Sequence, residues 1–207
     1  MIATSLNNAA RRIPPWTIYL SGMAYMIWLV WLGATGGLGV EPINALERAL
    51  GQAGLQILLL GLAITPLRRF GGINLIRFRR ALGLTAFMFI FVHLTVWLVL
   101  DLQSLDRIWA DILKRPYITI GMTGFVLMIP LAVTSNNWFV RKLGPTWRRL
   151  HKLVYIIVVL GAVHFVMVRK GIQIEPLIFL GIALILLAAR FKLRKPPARV
   201  ATGRNAA

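Results

Sequence analysis

Six long apolar segments, separated by short polar stretches, constrain this chain more than any other feature of its sequence. They are Ile18–Thr35, Ala49–Thr65, Ala81–Leu100, Tyr117–Thr134, Leu153–Val168 and Ile174–Ala189. About 20 mostly apolar residues let a helix cross the hydrocarbon core of a bilayer, and shorter segments cross when flanking polar side chains reach the interface. Only 14% of the residues are charged, against about 25% in a soluble domain. The sequence therefore predicts an all-α integral membrane protein, a bundle of six transmembrane helices.

The charged residues fall into two sets that alternate along the chain. The N-terminus, the 66–80 and 135–152 loops and the C-terminal tail hold 18 of the 24 basic residues and no acidic residue. The other loops hold the remaining basic residues and all six acidic residues. Because basic loops stay on the cytoplasmic side, both termini are predicted to be cytoplasmic (N-in/C-in). This topology, in contact with membrane lipid, accounts for the net charge of +18 without nucleic-acid binding.

No loop is long enough to form a soluble domain, so residues 1–191 are interpreted as one transmembrane domain. Residues 192–207 are basic and rich in proline and alanine, and they are predicted to form a disordered cytoplasmic tail. The chain has no cysteine, which excludes disulfides, thiol nucleophiles and cysteine-ligated iron–sulfur clusters. The glycine-rich stretch Gly33–Gly39 (GATGGLG) lacks the spacing of a nucleotide-binding loop.

Three histidines are the main candidates for chemistry, because ionisable side chains inside a membrane are costly and usually functional. His93 lies thirteen residues after Arg80, and His164 lies twelve residues after Lys152. At about 1.5 Å per residue, both would lie about 20 Å from the cytoplasmic edge, in the outer half of a core about 30 Å thick. Their two helices run in the same direction, so the histidines are predicted to face each other at one depth. His151 would lie at the cytoplasmic entrance of the fifth helix.

Two imidazoles at one depth on two helices could hold a metal-centred disc, and haem fits this arrangement. His93 and His164 are therefore predicted to be the axial ligands of one haem iron. Each histidine could instead only hydrogen-bond a neighbouring helix. A small histidine-dependent transporter or proton-coupled carrier is the alternative function, but all the carboxylates are predicted to lie in outer loops and no repeat is visible. His151 lies beside Arg148 and Arg149 and could serve only as a polar anchor at the interface.

Two stretches and one histidine carry a resemblance to a known family. They are Trp147–Phe165 (WRRLHKLVYIIVVLGAVHF), Arg68–Leu84 (RRFGGINLIRFRRALGL) and His93 in the third segment. They resemble the ferric reductase-like transmembrane family, in particular its haem-binding subunits that serve periplasmic methionine sulfoxide reductases. The resemblance extends from Trp16 to about Phe191.

The resemblance implies a b-type haem protein of the bacterial inner membrane, with FMN as an associated cofactor. It implies electron transfer from the quinone pool or a cytosolic flavin reductase to a periplasmic molybdenum-cofactor enzyme. That partner, rather than this chain, would reduce methionine sulfoxide and so repair oxidised proteins.

The resemblance transfers to individual residues only in part. Relatives with two haems carry two histidines on the third helix and two on the fifth, and His93, His151 and His164 match three of these four places. The fourth place is occupied by Arg79 and Arg80. His151 is therefore predicted to be an ancillary residue that supports a second haem, a flavin or a quinone. These arginines, with Arg77, could bind a haem propionate or a flavin phosphate, or could only set the topology.

Overall fold

The computed structural model describes residues 2–102, 112, 114–169 and 173–190, and these residues form helices and no strands. The helices are α1 (Ile2–Arg12), α2 (Trp16–Ala34), α3 (Pro42–Gly71), α4 (Arg79–Val96), α5 (Pro116–Val133), α6 (Asn137–Leu143), α7 (Pro145–Leu150), α8 (Val154–Val168) and α9 (Ile174–Ala188). A 3₁₀ turn, Ile76–Phe78, precedes α4, a π-helical segment, Trp97–Leu102, follows it, and a second 3₁₀ turn, His151–Leu153, precedes α8. The prediction of an all-α protein is confirmed.

Five helical segments within the described residues are long and apolar enough to cross a membrane. They are Trp16–Ala34, Pro42–Gly71, Ile76–Asp101, Pro116–Val133 and Pro145–Val168. The prediction of a multi-pass membrane protein is confirmed. The sixth predicted span coincides with α9, which is apolar but only 15 residues long, so its length of about 22 Å falls short of a core about 30 Å thick. The count of six spans and the cytoplasmic location of both termini stay predictions, and the predicted tail, 192–207, lies outside the described residues.

Helix α3 is much longer than the sequence predicted, at 30 residues rather than the 17 of Ala49–Thr65. It begins at Pro42, whose fixed φ suits a first helical position, and it continues through Pro66 to Gly71. Gly72 ends it in the left-handed region at φ 68°, where its N–H donates to the carbonyl of Leu67. The prediction that residues 66–71 belong to a loop was therefore wrong.

Arg190 explains how α3 tolerates a proline in its interior. A proline has no N–H, so the carbonyl of Leu62, four residues before Pro66, loses its helical donor. The Nη2 of Arg190, at the end of α9, donates to this carbonyl instead. The Nη1 of Arg190 donates to the hydroxyl of Tyr155 on α8 at 3.1 Å, and the guanidinium lies 5.2 Å from the centre of the Tyr155 ring. One side chain thus joins α3, α8 and α9.

Small side chains bring the helices close together around a common centre. Helix α3 packs along α4, α5 packs against α8, and α9 packs against α8 and α3. Ala86, Ala162 and Ala183 are completely buried between them. Helices in an apolar solvent associate through such close packing, because burial of apolar surface offers little gain there. Large apolar side chains such as Ile27 and Ile185 point outwards and are more than 60% exposed, as a lipid-facing surface requires.

Candidate functional site

The structure brings His93 and His164 together across a cavity of about 320 Å³, here called the histidine cavity. His93 lies on α4 and His164 on α8, and α3 and α5 complete the walls. The centres of the two imidazole rings are 6.4 Å apart, and the ring planes are inclined at 79°. The predicted neighbours are therefore neighbours in the structure.

Each imidazole is held by a backbone carbonyl of the adjacent helix. The Nδ1 of His93 lies 2.9 Å from the carbonyl oxygen of Glu47, and the Nδ1 of His164 lies 2.7 Å from that of Tyr117. A carbonyl oxygen only accepts, so both Nδ1 atoms carry the proton and both Nε2 atoms keep a free lone pair. The hydrogen bonds that the structure gives these two rings are both made through Nδ1. This is the usual state of a metal-ligating histidine, whose other ring nitrogen donates to an outer group.

The separation of the two rings fits one metal atom between them. A metal–imidazole bond is about 2.0 to 2.1 Å long. The nitrogen lies about 1.2 Å from the ring centre, given ring bonds of about 1.33 to 1.4 Å. Two imidazoles that point their Nε2 atoms at one metal from opposite sides have centres about 6.4 Å apart, so the spacing of His93 and His164 is compatible with such a metal.

The donor set of the cavity is compatible with haem. No cluster of three or more histidine, cysteine or acidic side chains able to hold a metal occurs in the part of the chain that the structure describes. A metal between His93 and His164 would take two ligands from these side chains, and water or a cofactor would supply the others. A porphyrin supplies four nitrogens in a plane and leaves two axial positions for imidazoles. The two histidines therefore fit a haem.

Three arginines that the sequence analysis treated only as loop charges line the same cavity. They come from three different parts of the chain. Arg48 lies near the start of α3, Arg115 directly before α5, and Arg169 directly after α8. Arg169 lies 3.7 Å from Glu175, and Arg115 donates to the hydroxyl of Tyr117 at 3.3 Å. Guanidinium groups bind carboxylates strongly. The cavity combines an apolar body with a charged rim of three basic and two acidic residues. In the sequence, these arginines lie near the same ends of the predicted helices as the histidines, and this was the available indication that they could share one site.

Two glycines also escaped the sequence analysis. A Cβ atom built on Gly51 would lie 3.1 Å from the Nδ1 of His93, and one built on Gly121 would lie 2.8 Å from the Nδ1 of His164. Both glycines lie inside helices, where glycine is less stable than alanine by about 1 kcal/mol. The only indication in the sequence was therefore a glycine at a helical position that alanine would stabilise better, and this did not show which residue lies against the glycine.

A second cavity, of about 690 Å³ and here called the basic cavity, lies towards the other ends of the helices. The residues that line it include six basic side chains, Arg77, Arg79, Arg80, Arg148, Lys152 and Arg190, and no acidic one. The charged residues of the histidine cavity all belong to the mixed set of the sequence, and those of the basic cavity all belong to the purely basic set. The two charge sets therefore lie at separate cavities of the bundle.

His151 lines the basic cavity and takes no part in the histidine cavity. Its ring is stacked on Trp147, with centres 3.9 Å apart, and its Nε2 lies 3.0 Å from the hydroxyl oxygen of Thr134. That hydroxyl donates to the carbonyl of Pro130 at 2.6 Å, so it accepts from His151. The indole of Trp147 donates to the carbonyl of Thr134 at 2.9 Å. His151 is thus held in its own network, and its ancillary role stays a prediction.

An apolar wall separates the two cavities. Leu58, Met128 and Ile157 line both of them, one from each of α3, α5 and α8. These three side chains are apolar, so none of them can donate or accept a proton. The histidine cavity therefore combines the two histidines with apolar side chains and with charged side chains of both signs.

Comparison with known proteins identifies relatives over most of the chain. The family described as the ferric reductase-like transmembrane component matches residues 50–162. A protein of Agrobacterium fabrum named protein-methionine-sulfoxide reductase heme-binding subunit MsrQ is 47% identical over 192 residues, which are 91% of this chain and 89% of that protein. A protein of Brucella ovis with the same name is 46% identical over 190 residues, 89% of this chain and 86% of that protein. No solved structure matches the chain.

Proposed function

Because this chain belongs to the ferric reductase-like transmembrane family, we propose that it binds a b-type haem and conducts electrons across the bacterial inner membrane. The observation that carries the proposal is the pair His93 and His164, with ring centres 6.4 Å apart and both Nε2 atoms free. The names of the relatives in Agrobacterium and Brucella support both the haem and a role in methionine sulfoxide reduction.

The residues of the histidine cavity have separate tasks in this proposal. His93 and His164 would hold the haem iron, and the carbonyls of Glu47 and Tyr117 hold the orientation of their rings. The arginines of the rim would pair with the carboxylates of the haem, and the apolar wall would keep water away. Haem, when bound, supplies a carrier that accepts and releases one electron at a time.

The basic cavity is the proposed region for the electron donor. Its six basic residues favour an anionic donor or cofactor, such as the phosphate of FMN, and its apolar wall suits a quinone. The quinone pool and a cytosolic flavin reductase are the two candidate sources of electrons. His151 would act here as an ancillary residue. In the proposed orientation, which follows the distribution of basic residues, the basic cavity and both termini would lie on the cytoplasmic side.

The proposed acceptor is a periplasmic MsrP-like enzyme that contains a molybdenum cofactor and reduces methionine sulfoxide in damaged proteins. This chain would deliver electrons and would not itself reduce the substrate. Residues 1–191 would form the haem-binding transmembrane domain, and 192–207 a cytoplasmic tail.

A visible absorption spectrum of the purified protein tests the proposal. The wild type should bind haem and show the sharp reduced spectrum of low-spin haem, whereas His93→Ala and His164→Ala should each lose most of it. His151→Ala is the control variant, because His151 lies in the other cavity. A wild type without haem would support the alternative histidine-dependent carrier, and full occupancy in either variant would contradict the assignment of the ligands. Added periplasmic reductase and methionine sulfoxide should then reoxidise the reduced wild type.

A further inference from the structure

The two histidines are bound by the same local arrangement, although they lie on different helices. Glu47 and Gly51 are four residues apart on α3, and Tyr117 and Gly121 are four residues apart on α5. In an α-helix, a residue four positions further on lies directly over the carbonyl of the first residue. An imidazole that reaches such a carbonyl from the side must therefore pass over the residue four positions on.

The space that a side chain would occupy at each glycine is filled by an imidazole. At Gly51 the three atoms nearest to an added Cβ all belong to His93, at 3.1, 3.2 and 3.6 Å. At Gly121 they all belong to His164, at 2.8, 2.9 and 3.3 Å. Real Cβ atoms essentially never approach another atom within 3.0 Å, so alanine at Gly121 would displace the ring. Alanine at Gly51 would require a smaller shift, of a few tenths of an ångström.

The other close glycines of the bundle have a different environment. A Cβ on Gly54 would meet the side chain of Ile90, and one on Gly22 would meet that of Thr85, each at 2.5 Å. These two glycines let neighbouring helices approach, as small residues commonly do in membrane bundles. At Gly51 and Gly121 the neighbour is instead the ring of a cavity histidine. The close contact at Gly51 and Gly121 therefore involves a cavity histidine, which the contacts at Gly54 and Gly22 do not.

We infer that Gly51 and Gly121 are positioning residues that hold His93 and His164 in the orientation needed to ligate one haem iron. The absence of a side chain lets each Nδ1–H reach the carbonyl one turn earlier, and this bond directs the Nε2 into the cavity. A methyl group would push the ring off its carbonyl and turn the Nε2 away from the opposite histidine. The inference rests on the proposed haem function, and it predicts a stronger effect at Gly121 than at Gly51.

The test compares Gly51→Ala and Gly121→Ala with Gly181→Ala, a control on α9 where an added Cβ meets nothing within 4 Å. Alanine is the better helix former, so none of the changes weakens its helix intrinsically. Each purified protein is titrated with haem, and its low-spin signal is recorded by electron paramagnetic resonance. Circular dichroism during heating measures folding independently of haem. Loss of an outer-shell partner typically weakens metal binding by about 10- to 100-fold, and that range is expected for Gly121→Ala.

The spectroscopic result separates a misplaced ligand from general damage. In Gly121→Ala, haem that remains bound through His93 should become high-spin, and free imidazole should restore the low-spin signal by replacing His164. Gly51→Ala should stay folded and show a weaker form of the same change. A wild type that binds no haem would overturn the proposed function as well as this inference. A wild type with haem, together with an unchanged affinity and low-spin signal in Gly121→Ala, would overturn the inference alone. Equal loss of haem in Gly181→Ala would also overturn it.

Discussion

The contact between Arg190 and the carbonyl of Leu62 predicts a specific energetic coupling between Arg190 and Pro66. Pro66 removes the donor that Leu62 would otherwise have, and Arg190 replaces it. Arg190→Met keeps an unbranched stem but removes the guanidinium and both donors, which leaves the carbonyl of Leu62 without a partner. Pro66→Ala returns an N–H to the helix at the correct position. The loss of Arg190 should therefore cost less when Pro66 is alanine.

The size of this coupling follows from the contacts of Arg190. A hydrogen bond to a charged group contributes about 1.5–3 kcal/mol, and a cation–π contact about 0.5–2 kcal/mol. In the wild type, Arg190→Met loses the Leu62 bond, the Tyr155 bond and the ring contact, so we expect a loss of about 3 kcal/mol or more. With alanine at position 66, the Leu62 term disappears. The interaction energy of the double-mutant cycle should therefore be about 1.5–3 kcal/mol.

Equilibrium unfolding in mixed micelles, followed by circular dichroism as the fraction of denaturing detergent rises, measures the four free energies of unfolding. Tyr155→Phe is a matched control, because it removes the other partner of Arg190 without touching Leu62, and its cost should not depend on Pro66. Additivity of Arg190→Met and Pro66→Ala within about 0.5 kcal/mol would refute the reasoning.

Three further predictions concern the cofactor region and the core. His151→Ala should leave the spectrum of the haem largely intact while slowing reduction of the haem by the donor. Loss of all haem in this variant would instead make His151 a principal ligand, and an unchanged rate of reduction would make it only an interfacial anchor. The purified chain should not be reduced by NADPH alone, because its sequence has no phosphate-binding glycine motif, and rapid reduction without a reductase or quinol would contradict this. Phe89→Ala removes a completely buried ring beside Tyr25 and outside both cavities; unfolding should show a loss of about 3 kcal/mol, with an unchanged haem spectrum in the folded protein.

The sequence alone predicted most of the helices and the pairing of the histidines. Apolar length reveals a membrane helix directly, and an ionisable residue inside such a helix stands out against its neighbours. The predicted span Leu153–Val168 begins one residue before helix α8 and ends at the same residue. The predicted span Tyr117–Thr134 begins and ends one residue later than helix α5. These properties are local in the chain, which is why they could be predicted.

The features that the sequence did not reveal depend on contacts between distant residues. Pro66 was taken as the beginning of a loop because its effect on α3 depends on Arg190, which lies more than a hundred residues away. The arginines of the histidine cavity converge from three helices, so their common location is a property of the packed bundle. The role of Gly51 is visible only when His93 is seen against it.

The apolar wall of Leu58, Met128 and Ile157 has a consequence for energy conversion in the proposed electron path. An electron that passes this wall moves negative charge outwards, and no described side chain of the wall can carry a compensating proton with it. A membrane potential that is negative inside would therefore drive the transfer. An electron that crosses the whole membrane gains about 2.3 kcal/mol for each 100 mV of potential. The step past the wall gains the fraction of this energy that corresponds to the share of the potential falling across the wall. The reduction of a periplasmic acceptor would then draw on the energised state of the membrane as well as on the redox potential of the donor.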